Sequence, residues 1–270
     1  MAMACMGIAT GDFDGNQLID LFVTNFRDEA NTLYLQDSPG LFTDATHTSG
    51  LTAPGLPYVG WGTQCLDADL DGDLDLVVVN GDVDDFRSRG GMFHMPPHLY
   101  LNNGHGQFVL SDPELSGSFF ESQYLGRGLA RLDWNRDGRT DFAVSNMNSQ
   151  ASLATNHTPD TGHFFNIRLT ATTTSRDAVG TKIRLRSGSL TTSTQLVAGD
   201  GFMASNERTL QFGLGQEQTV DELTVTWPSG RVTVLRDLPV NATLEIVEWG
   251  WSGSLWKDGQ TSSLVLRPTP

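Results

Sequence analysis

Three short stretches of the sequence place acidic or amide side chains at alternate positions, with a further aspartate at the end of each stretch, a spacing that suits a divalent cation. They cover residues 12–20, 67–75 and 133–141, and we call them loops 1, 2 and 3. Each has an acid or amide at its first, third and fifth positions and an aspartate at its ninth. Calcium takes six to eight oxygen ligands in a flexible geometry, and aspartate is the shortest acidic side chain that supplies them. The spacing therefore predicts three calcium-binding turns.

The predicted ligands are the side-chain oxygens at positions 1, 3, 5 and 9 and the main-chain carbonyl at position 7. These positions are Asp12, Asp14, Asn16, Asp20 and Leu18 in loop 1; Asp67, Asp69, Asp71, Asp75 and Asp73 in loop 2; and Asp133, Asn135, Asp137, Asp141 and Arg139 in loop 3. Loop 2 has an aspartate at all four side-chain positions, so we expect it to bind calcium most tightly. Asp73 is expected to contribute only its carbonyl, with its carboxylate left free.

The loops do not fit the EF-hand pattern. An EF-hand requires a glutamate at position 12 and a helix on each side of the loop. Position 12 is Val23, Val78 or Val144, and the flanking segments are short apolar runs typical of β-strands. Each cation would therefore lie between two strands.

The segments around the loops repeat as well. The loops begin at residues 12, 67 and 133, a spacing close to the length of one blade or a similar supersecondary unit. A strand, a glycine-containing turn and another strand follow loops 1 and 2, at 31–42 and 98–108, whereas 151–156 matches only the first of these strands. We therefore predict a partial β-propeller of about three blades of four strands, with the third blade truncated.

Composition supports an all-β chain. The 270 residues are 38% hydrophobic, include 29 glycines, and contain few runs of helix-favouring residues. The formal net charge is −15, from 32 acids against 17 bases. Because phosphate binding requires a surface rich in lysine and arginine, we expect no nucleic-acid partner. Calcium would offset part of the excess negative charge.

The distribution of apolar residues and cysteines further restricts the class of protein. No stretch of about 18 apolar residues exists, so we expect no transmembrane segment. The first residues lack a basic region followed by a long apolar stretch, so we expect no signal peptide in this chain. Cys5 and Cys65 lie at different offsets from their loops, which favours two buried thiols and leaves a single disulfide as the alternative.

The pattern changes after about residue 163. Apolar and polar residues alternate there in several segments, as in antiparallel strands with one solvated face. We predict a separate β-sandwich without calcium loops. The predicted organisation is propeller blades over residues 1–155, a β-sandwich over 156–248 and a tail rich in tryptophan and glycine over 249–270.

The loops resemble the FG-GAP/VCBS repeats of integrin-type β-propellers, whose D-x-D-x-D-G-x-x-D turn binds calcium between the strands of a blade. Loop 2 matches this turn throughout, and loop 3 differs by having Asn135 in place of one aspartate. Loop 1 departs most, because Gln17 stands where the other two loops have glycine, and Gly15 lies two residues earlier.

Residues 156–248 resemble the ASPIC/UnbV domain, which follows such repeats in cartilage acidic protein and in many bacterial secreted proteins. The matching segments are 176–180, 199–202, 210–215 and 225–230. The resemblance implies an extracellular or periplasmic location, bound calcium and a recognition, adhesion or matrix role with a protein or glycan ligand. It supplies no catalytic residue.

Two expectations follow for the whole molecule. Closed propellers have four to eight blades, so we expect N-terminal blades outside this chain, or a partner, to complete the ring.

The alternative to a recognition module is a secreted enzyme, carbohydrate-active or biosynthetic, that uses carboxylates outside the loops. The candidates for such carboxylates are Asp82, Asp84, Asp85 and Glu121. The sequence lacks the usual nucleophile-elbow, zinc-protease and phosphate-loop motifs, which favours a non-catalytic protein.

Overall fold

The structure is a computed structural model that describes residues 3–249, 252–257 and 260–265. The chain is 46% strand and 6% helix, which confirms the all-β prediction. Its strands form five sheets in the arrangement of a five-bladed β-propeller. The helices are single turns in connections: α1 (Thr52–Gly55), α2 (Pro113–Ser116), α3 (Ser118–Glu121) and a 3₁₀ turn at Arg87–Arg89.

The first three sheets are antiparallel meanders, each built from consecutive strands. Sheet 1 contains β1 (Cys5–Gly11), β2 (Asp20–Asn25), β3 (Thr32–Ser38) and β4 (Leu41–Asp44); sheet 2 contains β5 (Gly60–Leu66), β6 (Asp75–Asn80), β7 (His98–Asn102) and β8 (Phe108–Leu110); and sheet 3 contains β9 (Gly126–Leu132), β10 (Asp141–Asn146) and β11 (Ser152–Ala154). Loops 1, 2 and 3 each connect the first strand of a sheet to the second. Sheet 3 has three strands, as the truncated third repeat predicts.

The last two sheets have a different topology. Sheet 4 has the order β14 (Leu190–Gln195), β13 (Lys182–Ser187), β16 (Thr219–Thr226), β17 (Val232–Pro239), and sheet 5 the order β15 (Thr209–Gly213), β12 (Phe164–Thr170), β18 (Ala242–Val247), β19 (Ser252–Lys257), β20 (Gln260–Val265). The β12–β18 pair is parallel, whereas the pairs of the first three sheets are antiparallel. One hydrophobic core, which includes Phe165 and Trp227, joins sheets 4 and 5. The predicted division into three blades and a separate sandwich stays a prediction.

Apolar side chains hold neighbouring blades together. Phe13 and Phe22 of sheet 1 pack with Leu76 and Tyr100 of sheet 2 in one buried cluster. A second cluster joins sheets 2 and 3. Burial of apolar area is the main favourable contribution to folding, so the contacts between the sheets stabilise the loops at their edges.

Glycines allow the first strands of the blades to approach closely. A Cβ on Gly7 of β1 would lie 2.3 Å from the carbonyl oxygen of Trp61 in β5. A Cβ on Gly62 of β5 would likewise lie 2.6 Å from the carbonyl oxygen of Arg127 in β9. Any larger residue at either position would push two neighbouring blades apart.

A segment of the C-terminal half lies against these first strands. Gly201 exchanges two main-chain hydrogen bonds with Ile8 of β1. A Cβ on Gly128 of β9 would lie 3.0 Å from the carbonyl oxygen of Met203. The Phe202 ring contacts Trp61 of β5 edge to face. The segment 201–203 therefore bridges the first strands of sheets 1, 2 and 3, and we call it the bridging segment.

The cysteine prediction is partly wrong. Both cysteines are free, so the alternative of a disulfide is excluded. Cys65 is buried as predicted, but Cys5 is exposed because it begins β1 at the end of sheet 1. A search of the described residues for a membrane-spanning helix finds none of sufficient length and apolar character.

The tail predicted for 249–270 contributes β19 and β20, which extend sheet 5 beyond β18. Trp249 stacks on the guanidinium of Arg231 at 3.6 Å. Trp251, which was part of the predicted tail pattern, lies outside the described residues.

Candidate metal centre

The three loops share one main-chain conformation. The residues at positions 4 and 6 have positive φ angles in each loop: Gly15 and Gln17 at 75° and 69°, Leu70 and Gly72 at 61° and 105°, and Arg136 and Gly138 at 64° and 88°. Glycine adopts this region without the steric cost that other residues incur, and each loop has one glycine at one of the two positions. The departure of Gln17 from the repeat pattern therefore leaves the shape of loop 1 unchanged.

The ninth-position aspartate ties each loop to its sheet. One of its carboxylate oxygens accepts the main-chain N–H of position 2 of the loop. The other accepts a main-chain N–H from the third strand of the sheet or, in sheet 3, from just after that strand. These donors are Phe13 (2.7 Å) and Gln36 (2.8 Å) for Asp20, Ala68 (3.1 Å) and Asn102 (2.9 Å) for Asp75, and Trp134 (3.1 Å) and Asn156 (2.8 Å) for Asp141. All three carboxylates are buried. This aspartate therefore has a structural role whether or not a cation is bound.

The first-position aspartate turns its carboxylate toward the N–H groups of its own loop. Asp67 and Asp133 each accept two main-chain N–H groups, from positions 5 and 6. Asp12 accepts only that of Gln17, at 2.8 Å, and its Oδ1 is buried with no hydrogen-bond partner among the described residues. A buried carboxylate oxygen without a partner carries a large desolvation cost, which a bound cation would offset. The residues of loop 1 thus fit a calcium ion.

Carboxylates converge in loops 1 and 2. Oxygen atoms of Asp12, Asp14 and Asp20 all lie within 4.8 Å of one another in loop 1, and so do those of Asp67, Asp69 and Asp71 in loop 2. Like charges at this separation repel each other, and a cation between them removes the repulsion. The two clusters offer the oxygen donors that calcium prefers.

Loop 3 differs, because a cationic side chain occupies it. Arg139, at position 7, donates to Asp137 from Nε (3.1 Å) and Nη2 (2.6 Å). In the part of the chain that the structure describes, loop 3 does not bring three carboxylates together, since its third position is Asn135. The bidentate guanidinium competes with calcium for a predicted ligand. The sequence pattern alone did not reveal this ion pair.

Comparison with known families agrees with this geometry. A model described as FG-GAP-like repeat matches residues 12–78 and again 67–144. A second, described as ASPIC and UnbV, matches residues 171–250. The chain carries FG-GAP-like repeats followed by an ASPIC and UnbV domain. No curated protein matches the chain. Both repeat matches include residues 67–75, so loop 2 closes one FG-GAP-like match and opens the next.

Side-chain amides link consecutive FG-GAP-like repeats, and sequence reasoning missed them. Asn102 of sheet 2 donates from Nδ2 to the carbonyl oxygen of Phe13 in loop 1, at 2.9 Å. Asn156, after sheet 3, donates in the same way to Ala68 in loop 2, at 2.9 Å. Phe13 and Ala68 are both at position 2 of their loops. Asn102 ends the third strand of its repeat and Asn156 lies just after the third strand of the next, and this shared residue type was the available sequence signal.

The C-terminal half covers loop 2. Gly162 donates its N–H to the carbonyl oxygen of Asp69 at 2.9 Å, and Gly215 donates to Leu70 at 2.8 Å. Gly213, in β15 of the ASPIC and UnbV domain, lies so close to Asp67 that an added Cβ would be 1.9 Å from Oδ2. Loop 2 is therefore shaped by both halves of the chain.

Asp73 lies beside the cluster of loop 2 and outside it. A Cβ on Gly104 would come within 2.5 Å of Asp73 Oδ1, so this carboxylate packs against the β7–β8 turn. Burial, with a further contribution from Asp71, raises the pKa of Asp73 to about 6, although His105 opposes the shift. The carboxylate that was expected to be free is therefore in contact with the turn.

The acids proposed for an enzyme do not form a comparable cluster. Asp82 is buried and ion-paired with Arg27, and Asp85 is paired with Arg87 on the surface. Asp84 and Glu121 are exposed. Among the described residues these acids form no metal-sized group.

Without a cation, burial raises the pKa of several loop carboxylates above the usual value for aspartate. Burial raises the pKa of Asp20 and of Asp75 to about 7, and that of Asp12 to about 6. Burial and the neighbouring Asp71 raise the pKa of Asp67 well above its usual range. In loop 3 burial also raises the pKa of Asp133 and Asp141. Protons therefore compete with calcium for these sites near neutral pH.

The metal-free protein is expected to lose stability as the pH rises. An aspartate whose folded-state pKa is above its unfolded value binds its proton more tightly when folded, so its contribution is complete below pH 3.8 and is lost as the pH rises through about 7. We expect the free energy of unfolding in chelator to fall by at least about 2 kcal/mol between pH 5 and pH 7.5. Urea unfolding at the two pH values measures this. A rise over the same interval in chelator would contradict it, and saturating calcium should remove most of the fall.

Proposed function

We propose that this chain is a calcium-stabilised, non-catalytic recognition module that works outside the cell or in the periplasm. The observation that carries the proposal is the convergence of three carboxylates in each of loops 1 and 2, with the buried Asp12 Oδ1 left without a partner among the described residues. FG-GAP-like repeats joined to an ASPIC and UnbV domain favour an adhesion-type role. In this proposal calcium holds the first two strands of a blade together and performs no chemistry.

The proposed ligands are the oxygens predicted from the repeat. Loop 2 is expected to bind calcium most tightly, because its positions 1, 3, 5 and 9 are all aspartates and both halves of the chain support it. Loop 1 is the second site. Loop 3 is the weakest, since Arg139 must release Asp137 before that carboxylate can reach a cation.

We further propose that, within the five-sheet arrangement, sheets 1 to 3 are propeller blades of the repeats and sheets 4 and 5 together form a β-sandwich. The single core shared by sheets 4 and 5 and the parallel β12–β18 pair support this division. The exposed surface of the assembly would then bind a protein or a glycan. Blades outside this chain, or a partner, would complete the ring of the propeller.

Calcium titration by calorimetry tests the metal sites. Asp69 is exposed in loop 2, and the hydrogen bond that it accepts, from Gly162, goes to its main-chain carbonyl, which an alanine retains. Asp69→Ala therefore removes a predicted ligand with little cost to the fold. We expect the wild-type chain to bind calcium with dissociation constants of about 10⁻⁴ to 10⁻³ M, as extracellular modules do. Asp69→Ala should weaken the tightest site by at least about tenfold.

The matched control is Asp84→Ala, which removes an exposed acid outside the loops and should leave the titration unchanged. Equal heats for the wild type and Asp69→Ala would show that loop 2 is not the tightest site. If the wild type bound no calcium at millimolar concentration, the proposed function would fail.

A further inference from the structure

A cavity of about 290 Å³ lies between loop 3 and the face of sheet 5 that points away from its core. Loop 3 contributes Asp133 and Arg136 to its wall, and sheet 5 contributes Asn166, Arg168 and Trp256. Its volume is near the lower end of the range for small-molecule sites. It shares Asp133 with the predicted ligand set of loop 3, and the rest of its wall comes from Arg136 and from side chains that are not predicted ligands.

The first observation that points to a ligand is Asn166. It lies in the middle of β12, between Phe165 and Ile167, which face the core, so its own side chain faces the cavity. The residue is 2% exposed, and its Oδ1 has no hydrogen-bond partner among the described residues. Buried side-chain amides nearly always have a hydrogen-bond partner. A bound molecule that donates a hydrogen bond to this oxygen would supply the missing partner.

A second cavity of about 100 Å³ adjoins the first, and both have Asp133, Asn166 and Thr209 in their walls. It contains two more buried polar atoms without hydrogen bonds, Nε of Arg131 and Oδ2 of Asp200. Oδ2 of Asp200 forms an ion pair with Nη2 of Arg131 at 3.6 Å, and the Asp200 side chain is 3% exposed. Acceptors and a donor thus face the same space, which suits a ligand whose groups both donate and accept.

Trp256 gives this space a flat apolar wall. It lies on β19 opposite Thr243 of β18, and it is 36% exposed. A tryptophan buries a large, rigid area at low cost in conformational entropy. The C–H face of a pyranose ring packs on such a surface, while its hydroxyl groups both donate and accept hydrogen bonds.

Three carboxylates and two guanidinium groups surround the cavity, so its wall carries no excess positive charge. Asp133 and Glu245 face Arg136 and Arg168, and both arginines are also paired with Glu207, Arg168 at 2.8 Å. Because these guanidinium groups already have carboxylate partners, they offer little free positive charge to a phosphate or a sulfate. The wall therefore favours an uncharged ligand.

We propose that this cavity binds one neutral sugar unit of a glycan, which stacks on Trp256 and donates a hydroxyl hydrogen bond to Asn166. The inference rests on the proposed recognition function and names the class of its ligand and the place where it binds. The adjoining cavity, with Arg131 and Asp200, would take hydroxyl groups of the same or the next unit. The sugar is bound and released unchanged.

Saturation-transfer NMR and tryptophan fluorescence test the proposal on the whole chain in calcium. The probes are the neutral methyl glycosides of glucose, galactose, mannose and N-acetylglucosamine, with glucose 6-phosphate as a charged comparator. We expect at least one neutral glycoside to receive saturation and to bind with a millimolar dissociation constant. Trp256→Ala should weaken that binding at least tenfold, and Trp256→Phe should weaken it less, because a smaller aromatic face remains.

The matched control is Trp249→Ala, which removes another exposed tryptophan that is stacked on Arg231 outside the cavity. It should bind the glycoside as the wild type does. Absence of binding by every neutral probe, equal binding by Trp256→Ala, or tighter binding of glucose 6-phosphate would each overturn the proposal. Calcium titration of the same samples separates the two ideas: heats of calcium binding without sugar binding reject only the glycan site, and sugar binding without calcium heats rejects only the calcium module.

Discussion

Replacing Asp75 with alanine is expected to lower the free energy of unfolding by about 3–5 kcal/mol, in chelator as well as in calcium. The carboxylate of Asp75 is 3% exposed and accepts the N–H groups of Ala68 and Asn102. Its removal leaves two main-chain donors without a partner in the interior. Each buried donor left unpaired costs about 1–3 kcal/mol, and the small cavity adds to this.

Urea unfolding followed by tryptophan fluorescence in excess chelator measures the effect. The matched control is Asp69→Ala, which removes an exposed carboxylate from the same loop and should stay within about 0.5 kcal/mol of the wild type when no calcium is present. If Asp75→Ala does not fold, Asp75→Asn retains one acceptor oxygen and should show a smaller loss. Equal stability of Asp75→Ala and the wild type in chelator would mean that Asp75 acts only as a ligand.

Replacing Gly213 with alanine is expected to weaken calcium binding at loop 2 by at least about tenfold and to destabilise the fold by about 1–3 kcal/mol. The new methyl group would lie 1.9 Å from Oδ2 of Asp67, so either the carboxylate or β15 must move. Asp67 is held by Gly72 and Asp71 within its loop and cannot move without losing those hydrogen bonds. The change is therefore expected to act on the proposed calcium site from a distant part of the sequence.

Calorimetry with calcium and urea unfolding of the same variant measure both effects. Gly199→Ala is the control, because its added Cβ would meet only the carbonyl oxygen of Ala204, at 3.8 Å, and its backbone does not require glycine. Normal calcium affinity at loop 2 in Gly213→Ala would show that the C-terminal half does not support the site.

The strands and turns of the first half could be predicted because their signals are local. The apolar runs after each loop correspond to β2, β6 and β10, and each begins at the ninth-position aspartate. The alternation of carboxylates brought the side chains of loops 1 and 2 together as expected. Loop 3 followed the same pattern, but the pattern does not record whether the side chain at position 7 is neutral or, like Arg139, cationic.

What sequence reasoning missed depends on contacts between distant residues. Asn102 is 89 positions from Phe13, and Gly213 lies on a strand that no repeat pattern connects to Asp67. The prediction that Cys5 is buried was wrong. Cys5 is the first residue of β1, and its exposure depends on where sheet 1 ends. The parallel β12–β18 pair joins strands that follow no local period. Such contacts form only in the folded chain, so a local sequence pattern does not reveal them.

The bridging segment has a consequence for biosynthesis. The first strands of sheets 1, 2 and 3 leave the ribosome long before Gly201 and Phe202, which complete their contacts. A nascent chain that stops short of these residues lacks the hydrogen-bond partner of Ile8 in β1 and the edge-to-face contact of Trp61. The repeats and the domain that follows them must therefore fold together. Cleavage between them would leave two fragments whose newly exposed surfaces promote association.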